Sequence, residues 1–348
     1  MRRAVLAPAL VLVAFLWLPF AFWLIVAVAA IVSLALPGRL RITRVVWLTG
    51  LYLLWDAVAI VALAGLWVWH GFGTRIDSVA SQHHHYAFAR GMLRFLFAQA
   101  RWTLRLEVEI ADANVDRIAD ARPIIVVSRH AGPGDSLILV HALLNKFARE
   151  PAIVLKDTLQ WDPAVDILLN RIPSKFVTPR AHRGSGAPDG RAAVGALAGA
   201  LGPDGALLIF PEGANATPRR RARRIEALRA AGRDRLAARA EAMPHVMPPH
   251  PGGVLAAIEA RPDAVVLVVA HTGLERLSTV GDVWRELPVD KRIVLKGWAT
   301  DVAELPADRA GREAWLYDRW EQVDAWIDEH QPRVSGVAEQ KRRVASAE

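Results

Sequence analysis

The sequence predicts an α/β fold: a mostly parallel sheet flanked by helices, preceded by an N-terminal hydrophobic helical membrane segment. Three observations predict it. Short, mainly aliphatic runs at 124–127, 205–210 and 264–269 have the length and continuity of strands buried on both faces. Stretches of helical period alternate with them, the pattern that puts helices on both faces of a parallel sheet. The start of the chain is a different material: residues 4–38 carry no charge, and six of the 13 tryptophans fall within the first 70 residues.

Residues 1–72 read as a membrane-associated helical segment. As a single helix, 4–38 would be about 52 Å long, well beyond the ~30 Å hydrocarbon core. It is therefore either a tilted span with an interfacial end or a hairpin, with Pro19 as the candidate bend. A second apolar stretch, 45–69, carries Trp47, Trp55, Trp67 and Trp69, which suit an interface, and Asp56 near its midpoint. An aspartate at the centre of a spanning helix costs roughly 2.5–3.5 kcal/mol on insertion scales. That favours a re-entrant or interfacial helix, or marks a polar contact. Arg2 and Arg3 argue for a cytoplasmic start, and Arg39, Arg41 and Arg44 for the same side. Two simple spans cannot satisfy both, whereas a shallow hairpin entering from one face can. A cleaved signal peptide, with Ser33-Leu34-Ala35 as its site, fits less well: the apolar run is too long and a second follows. The chain has no cysteine, which removes disulfides, a thiol nucleophile and thiolate metal sites, and fits a reducing compartment.

The rest reads as one catalytic domain, 73–330, with a polar, disordered tail at 331–348. Residues 71–81 form a linker. His83, His84 and His85 are adjacent, so on a helix they point in different directions and cannot easily share one ion; no metal site is expected. Phe88, Met92, Phe95 and Leu96 recur at helical spacing, a stripe for the bilayer or the sheet. Residues 104–110 alternate apolar and charged side chains, as in an edge strand with one wet face. Further strands are expected at 152–156 and 174–180, a small-residue helix at 191–201, and another edge strand at 292–295. Leu316, Trp320, Val323 and Ile327 form the packing face of a last helix.

The chemistry gathers in 123–140. The strand 124–127 ends at Arg129-His130, Gly132-Pro133-Gly134 forces a turn, and Asp135 or Ser136 can cap a helix running to about Phe147. That corner lies beyond a strand's carboxyl end, where open α/β sheets bind ligands. The spacing alone is weak evidence, because a loop histidine ahead of an N-cap aspartate has the same pattern. Folded back by two glycines, however, the step can bring the carboxylate onto one imidazole nitrogen and leave the other facing a pocket, as a general base requires. A second strand ends in Phe210-Pro211-Glu212-Gly213, so two polar corners would share one edge of the sheet.

Together these two corners resemble the glycerolipid acyltransferase family, whose best-known members are the 1-acylglycerol-3-phosphate acyltransferases. The family's Asn-His-x4-Asp motif stands here as Arg129-His130-x4-Asp135, and its Phe-Pro-Glu-Gly-Thr-Arg as Phe210-Pro211-Glu212-Gly213-Ala214-Asn215. The resemblance covers about residues 85–300. It implies His130 as general base oriented by Asp135, Glu212 and Gly213 as a wall of the acceptor site, and Lys156 and Arg180, which both follow strands, as ligands of an acceptor phosphate. The segment 247–254 resembles a Pro-x-x-Gly element of one branch of the family. Two departures stand out. Arg129 replaces the usual asparagine, and Ala214-Asn215 replaces Thr-Arg, removing an expected phosphate ligand.

The net charge is local. Nine arginines against Glu226 and Asp234 give 218–239 a net of +7, out of +8 for the whole chain. Thr217-Pro218 looks like an N-cap followed by proline at the first helical position. The segment is either a solvated basic helix or a surface for anionic lipid head groups, at about 1 kcal/mol per residue. Nucleic acid is disfavoured, because no aromatic residues interleave the arginines.

The expected activity is transfer of an acyl chain from acyl-CoA or acyl carrier protein to a lysophospholipid hydroxyl, with a lysophosphatidate-like acceptor and no cofactor. The expected setting is the cell membrane, with the catalytic domain on the cytoplasmic face. Alternatives are an acyltransferase for another lysolipid or a glycolipid, or a non-catalytic membrane lipid-binding protein. A serine hydrolase elbow is missing: Gly184-Ser185-Gly186 lacks the outer spacing.

Overall fold

The computed structural model describes residues 2–16, 18–36, 40–111, 121–132, 134–177, 190–213, 216–274, 281, 284, 285, 287 and 291–331. The chain begins with four helices: α1 (Arg2–Leu16), α2 (Leu18–Ala35), α3 (Arg41–Trp69) and α4 (Val79–Leu104). Among the described residues seven strands follow, β1 (Leu106–Ala111), β2 (Ile124–Ser128), β3 (Glu150–Lys156), β4 (Ser174–Val177), β5 (Gly205–Ile209), β6 (Val265–Thr272) and β7 (Lys291–Asp301). Between and after them lie α5 (Asp135–Asn145), α6 (Pro163–Leu169), α7 (Gly190–Gly199), α8 (Pro218–Ala230), α9 (Asp234–Glu241), α10 (Pro251–Ala260) and α11 (Arg309–His330).

The strand order is β1-β7-β6-β2-β5-β3-β4. From β6 to β4 the pairs are parallel; β7 runs antiparallel to β6, and β1 is parallel to β7. The mostly parallel sheet flanked by helices is thus as expected. One element differs. The segment 292–295 belongs to the long strand β7, which is interior: β1 covers its outer side, with Leu106 opposite Lys291 and Ala111 opposite Lys296. Alternation in β1 marked an edge correctly, but strand order depends on which segments meet in space.

The period of two along the central strands divides the core between two layers. Ile125, Val127, Leu207, Val266 and Val268 face one side, packed with Val194 and Leu197 of α7, Leu255 and Ile258 of α10, and Leu316, Trp320, Val323 and Ile327 of α11. Ile124, Val126, Leu208, Leu267 and Val269 face the other, against Ile138, Leu139 and Leu143 of α5. Every residue of β2, β5 and β6 is buried.

At the N-terminus, α3 is long and apolar enough to cross a membrane by length and composition. The α1–α2 pair bends by 68°, and Pro19 sits in the first turn of α2. The start of α1 and the start of α3 are tied to the rest of the molecule. Arg3 Nη2 donates to Asp166 Oδ1 of α6 at 3.2 Å. At the start of α3, Arg41 Nε donates to Leu287 O at 3.2 Å, and Arg44 to Thr103 O. Asp56 is only 3% exposed and lies against Asp162 and Ala164 at the start of α6, so it marks a polar contact. The three histidines indeed diverge. His83 meets Val79 O and Glu150, His84 meets His70, and His85 meets Ser81 O and Arg171.

Candidate active site

Because β6, β2 and β5 are parallel neighbours, their carboxyl ends deliver His130, Glu212 and His271 to one edge of the sheet, with His130 in the middle. The turn after β2 brings Asp135 back to His130: imidazole Nδ1 lies 2.9 Å from Asp135 Oδ2 and 3.0 Å from Oδ1. Asp135 is not the N-cap, a position held by Gly134. It is the first helical residue, and its carboxylate also accepts from Gly132 N at 3.1 Å and Ser136 N at 2.6 Å. The Asp135 side chain is 0% exposed and that of His130 18%, so one partner is sealed and the other open. Burial alone would push the Asp135 carboxyl up. The hydrogen bond and charge of His130, the neighbouring His271 and the Gly132 N–H outweigh it and hold the group below the usual carboxylate range.

Glu212 is committed inward. It is 2% exposed, and its two oxygens accept from His130 N at 3.2 Å and Met247 N at 3.4 Å. Burial pushes its carboxyl up to about 8, against the opposing pull of Arg129 and the two N–H groups. Its neighbour Gly213 closes a turn onto Phe210 O at 3.0 Å with φ +73, a left-handed conformation that favours glycine. The peptide groups of His130 are therefore held on both sides, since Ala216 N donates to His130 O at 2.9 Å.

His130 lines a cavity of about 960 Å³ that is mainly apolar. The His130 ring stacks on Phe210, with centroids 4.6 Å apart. The walls come from α4 (Tyr86, Ala89, Met92), α5 (Leu137, Val140), α6 (Leu168) and the start of α10 (His250, Gly252, Gly253). Among the described residues no group of three His, Asp or Glu side chains could hold a metal ion.

Of the residues singled out in the sequence, His130, Asp135, Glu212 and Gly213 come together. Pro211 and Gly213 line the cavity, whereas the Glu212 side chain supports the His130 backbone from behind. Lys156 ends β3, and Arg180, like Ala214 and Asn215, lies outside the described residues. The Pro-x-x-Gly segment sits beside this centre: His250 N donates to Pro211 O at 2.8 Å, and Met247 O accepts from Trp320 Nε1 at 3.0 Å. Sequence reading ended the β6 strand at Val269 and so passed over His271. The available signal was a third buried run, Val265–Thr272, ending in a polar side chain. The cavity wall from α4 had no sequence signal beyond the Phe88–Met92 stripe.

The arginine-rich segment forms α8 and α9, broken at Gly232, with Thr217 Oγ1 accepting from Arg220 N at 3.3 Å. Much of its charge is used locally. Arg221 donates to Ala240 O (2.7 Å), Glu241 O (2.9 Å) and Met243 O (3.0 Å). Arg229 pairs with Glu241, Arg233 with Glu313, and Arg239 with Asp318 and Glu321 of α11. Arg219, Arg220 and Arg223 are exposed in the first turns of α8.

A histidine held by a buried carboxylate thus stands at the strand ends of an α/β sheet and lines a mainly apolar cavity of about 960 Å³. The family comparison gives that site its chemistry. Residues 109–272 match the family model described as Acyltransferase, and the enzyme is an acyltransferase. Among solved structures, the chain is similar to the crystal structure of the 1-acyl-sn-glycerophosphate (LPA) acyltransferase, PlsC, from Thermotoga maritima. Identity is 16% over 81% of this chain and 97% of that one, with a TM-score of 0.46. No curated protein matches the sequence at a significant level.

Proposed function

We propose that the protein is a membrane-associated acyltransferase that moves an acyl chain from acyl-CoA or acyl carrier protein to a lysophospholipid hydroxyl. The observation that carries this reading is the His130 imidazole: Nδ1 is held by the sealed Asp135 carboxylate, and the ring forms part of the wall of the apolar cavity. Nε2 takes the proton of the acceptor hydroxyl as its oxygen attacks the thioester carbonyl carbon. The new C–O bond forms, the C–S bond breaks, and the proton passes to the leaving thiolate. Asp135 stabilises the transient imidazolium. Base catalysis of this kind supplies roughly 10²–10⁴-fold, and alignment of the two substrates supplies more. No acyl-enzyme intermediate is needed.

Lys156 and Arg180 are assigned to the acceptor phosphate, Arg180 for the fork that makes two parallel hydrogen bonds. Gly213 belongs to the acceptor wall, and Glu212 supports it through the backbone. Asn215, standing where the family has arginine, favours either help from Arg219 and Arg220 or a lysolipid acceptor other than lysophosphatidate. Residues 1–72 anchor the domain, 73–330, on the cytoplasmic face. The contacts of Arg3, Arg41 and Arg44 with the domain support a hairpin that enters and leaves on one side. A cysteine at the exposed Glu259 should then resist an impermeant thiol reagent in intact cells; labelling there would put the domain outside.

Purified protein, one acyl-CoA and a panel of lysolipids test the activity by thiol release that depends on acceptor. His130→Ala should abolish turnover while the protein still folds and partitions to membranes. Wild-type turnover by that variant would overturn the mechanism, and thiol release without an acceptor would indicate a hydrolase.

A further inference from the structure

We propose that His271 is a positioning residue for acyl transfer, holding the His130–Asp135 pair in register from the neighbouring strand. The proposal rests on His130 being the general base. His271 stands at the end of β6, fully enclosed at 1% exposure. Its Nε2 lies 3.3 Å from the Arg129 carbonyl oxygen and 3.8 Å from Asp135 Oδ2. Both neighbours are acceptors, so Nε2 carries the hydrogen, which it donates to Arg129 O while its positive end faces the Asp135 carboxylate. Among the described residues its Nδ1 is buried with no hydrogen-bond partner. A second N–H there would be left unsatisfied, so the ring is neutral, with the lone pair on Nδ1. Burial, with the charge of Arg129, pushes the imidazole down to about 4, in the same direction.

The contact is reciprocal, because Arg129 Nη1 donates to His271 O at 3.0 Å. This two-way clasp ties the end of β2 to the end of β6, one residue before the base. Ser128 Oγ adds a donor to Val269 O at 3.3 Å. From the other neighbouring strand, Glu212 takes the His130 N–H. Both polar atoms of the Arg129–His130 peptide are thus held from the strands that flank β2. The carboxylate that orients the base meets a second imidazole on its far side. His271 is not part of the wall of the cavity that His130 lines; it acts through Arg129 and Asp135. A donor at that place fixes the carbonyl that precedes the base and sets the positive end of an N–H dipole 3.8 Å from Asp135 Oδ2, and small displacements of a base can cost about 10²-fold in rate.

The test uses the full-length protein in the acyl-transfer assay. His271→Leu and His271→Asn both remove the donor, since an asparagine amide reaches only the place of Nδ1. His271→Gln restores it, because its Nε2 falls near the imidazole Nε2. Should leucine fail to fold, asparagine supplies the loss. The expected result is a fall in kcat of about 10- to 100-fold, with KM for donor and acceptor within about twofold. Glutamine should return kcat to within about fivefold of wild type. In an Asp135→Asn background, His271→Leu or His271→Asn should add less than about threefold, because both act on the same step. Three results would overturn the proposal: unchanged kcat in the donor-less variants, a folded glutamine variant no better than them, or losses that multiply with Asp135→Asn. His130→Ala in the same assay separates the two levels. If that variant keeps activity, the reading of the base is wrong; if it is inactive and His271 variants are normal, only the positioning role fails.

Discussion

Replacing Asp135 by asparagine should remove nearly all turnover, and the geometry says by how much. The carboxylate accepts from His130 Nδ1, Gly132 N and Ser136 N, at 2.9, 3.1 and 2.6 Å. An amide has one acceptor oxygen. If it keeps Ser136 N, its NH2 faces His130 Nδ1 and Gly132 N–H. The Nδ1 hydrogen then shares one oxygen with Ser136 N and faces a competing donor, which favours moving it to Nε2, the nitrogen that has to receive the substrate proton. If the amide turns over, the tautomer survives but the negative charge about 3 Å from the imidazolium is gone. At an effective dielectric of 20, two unit charges at that distance interact by about 5 kcal/mol, equivalent to roughly 10³- to 10⁴-fold in rate. Wrong-tautomer variants of a histidine–aspartate pair lose a similar ~10⁴-fold. Either orientation also opposes a buried backbone N–H with another donor, costing about 1–3 kcal/mol of stability. Acceptor-dependent thiol release measures the first effect, and a denaturation midpoint the second. A purified, folded Asp135→Asn enzyme with a tenth or more of wild-type kcat would refute the orientation of His130 by Asp135.

The other predictions concern Glu212, which holds the His130 backbone, and the charged helix. Glu212 holds its proton up to about pH 8 in the folded protein, against an ordinary 4.5, so the folded state binds more protons than the unfolded state in that interval. Its contribution to stability is full below about 4.5 and is lost as pH rises through about 8. Glu212→Gln should therefore melt earlier at pH 6, by about 1–3 kcal/mol for one lost acceptor, yet show a shallower decline in Tm between pH 6 and 9 than wild type. An equally steep decline in the variant would place the alkaline sensitivity elsewhere. Arg221→Gln should lower Tm without altering salt dependence, because three carbonyl oxygens at the end of α9 lose their donor. Arg219→Gln with Arg220→Gln should instead leave Tm near wild type, weaken activity on anionic vesicles and reduce its salt sensitivity. Exposed charges are screened beyond about 8–10 Å at physiological salt. Unchanged activity and salt response in the double variant would make the first turn of α8 a solvated surface.

The sequence by itself determined the local elements and the composition of the site. Aliphatic runs of four to eight residues can be little but buried strands once turn residues bound them, so β2, β5 and β6 were legible. Thr217-Pro218 started a helix for a local reason, a hydroxyl satisfying an orphan N–H. The His130–Asp135 pair was legible because only four residues separate its members, and Gly132 and Gly134 permit the return. What depends on distant segments was not legible. The order β1-β7-β6-β2-β5-β3-β4 places β7 inside the sheet, although its own sequence suited an edge. That order alone makes β5 and β6 the neighbours of β2, and so brings Glu212 and His271 to either side of His130 from 82 and 141 residues away in the chain. Side-chain direction was likewise a tertiary matter. The Glu212 corner suggested a wall facing substrate, but the carboxylate turns inward because two backbone N–H groups, His130 and Met247, converge there. The +7 of the arginine-rich segment looked like one surface feature. Packing against α11 and the end of α9 gives Arg221, Arg229, Arg233 and Arg239 partners that no local pattern announces. The cavity itself is the space left between α4, α5, α6 and the strand ends. Its existence follows from how those layers stack, which a one-dimensional pattern does not encode.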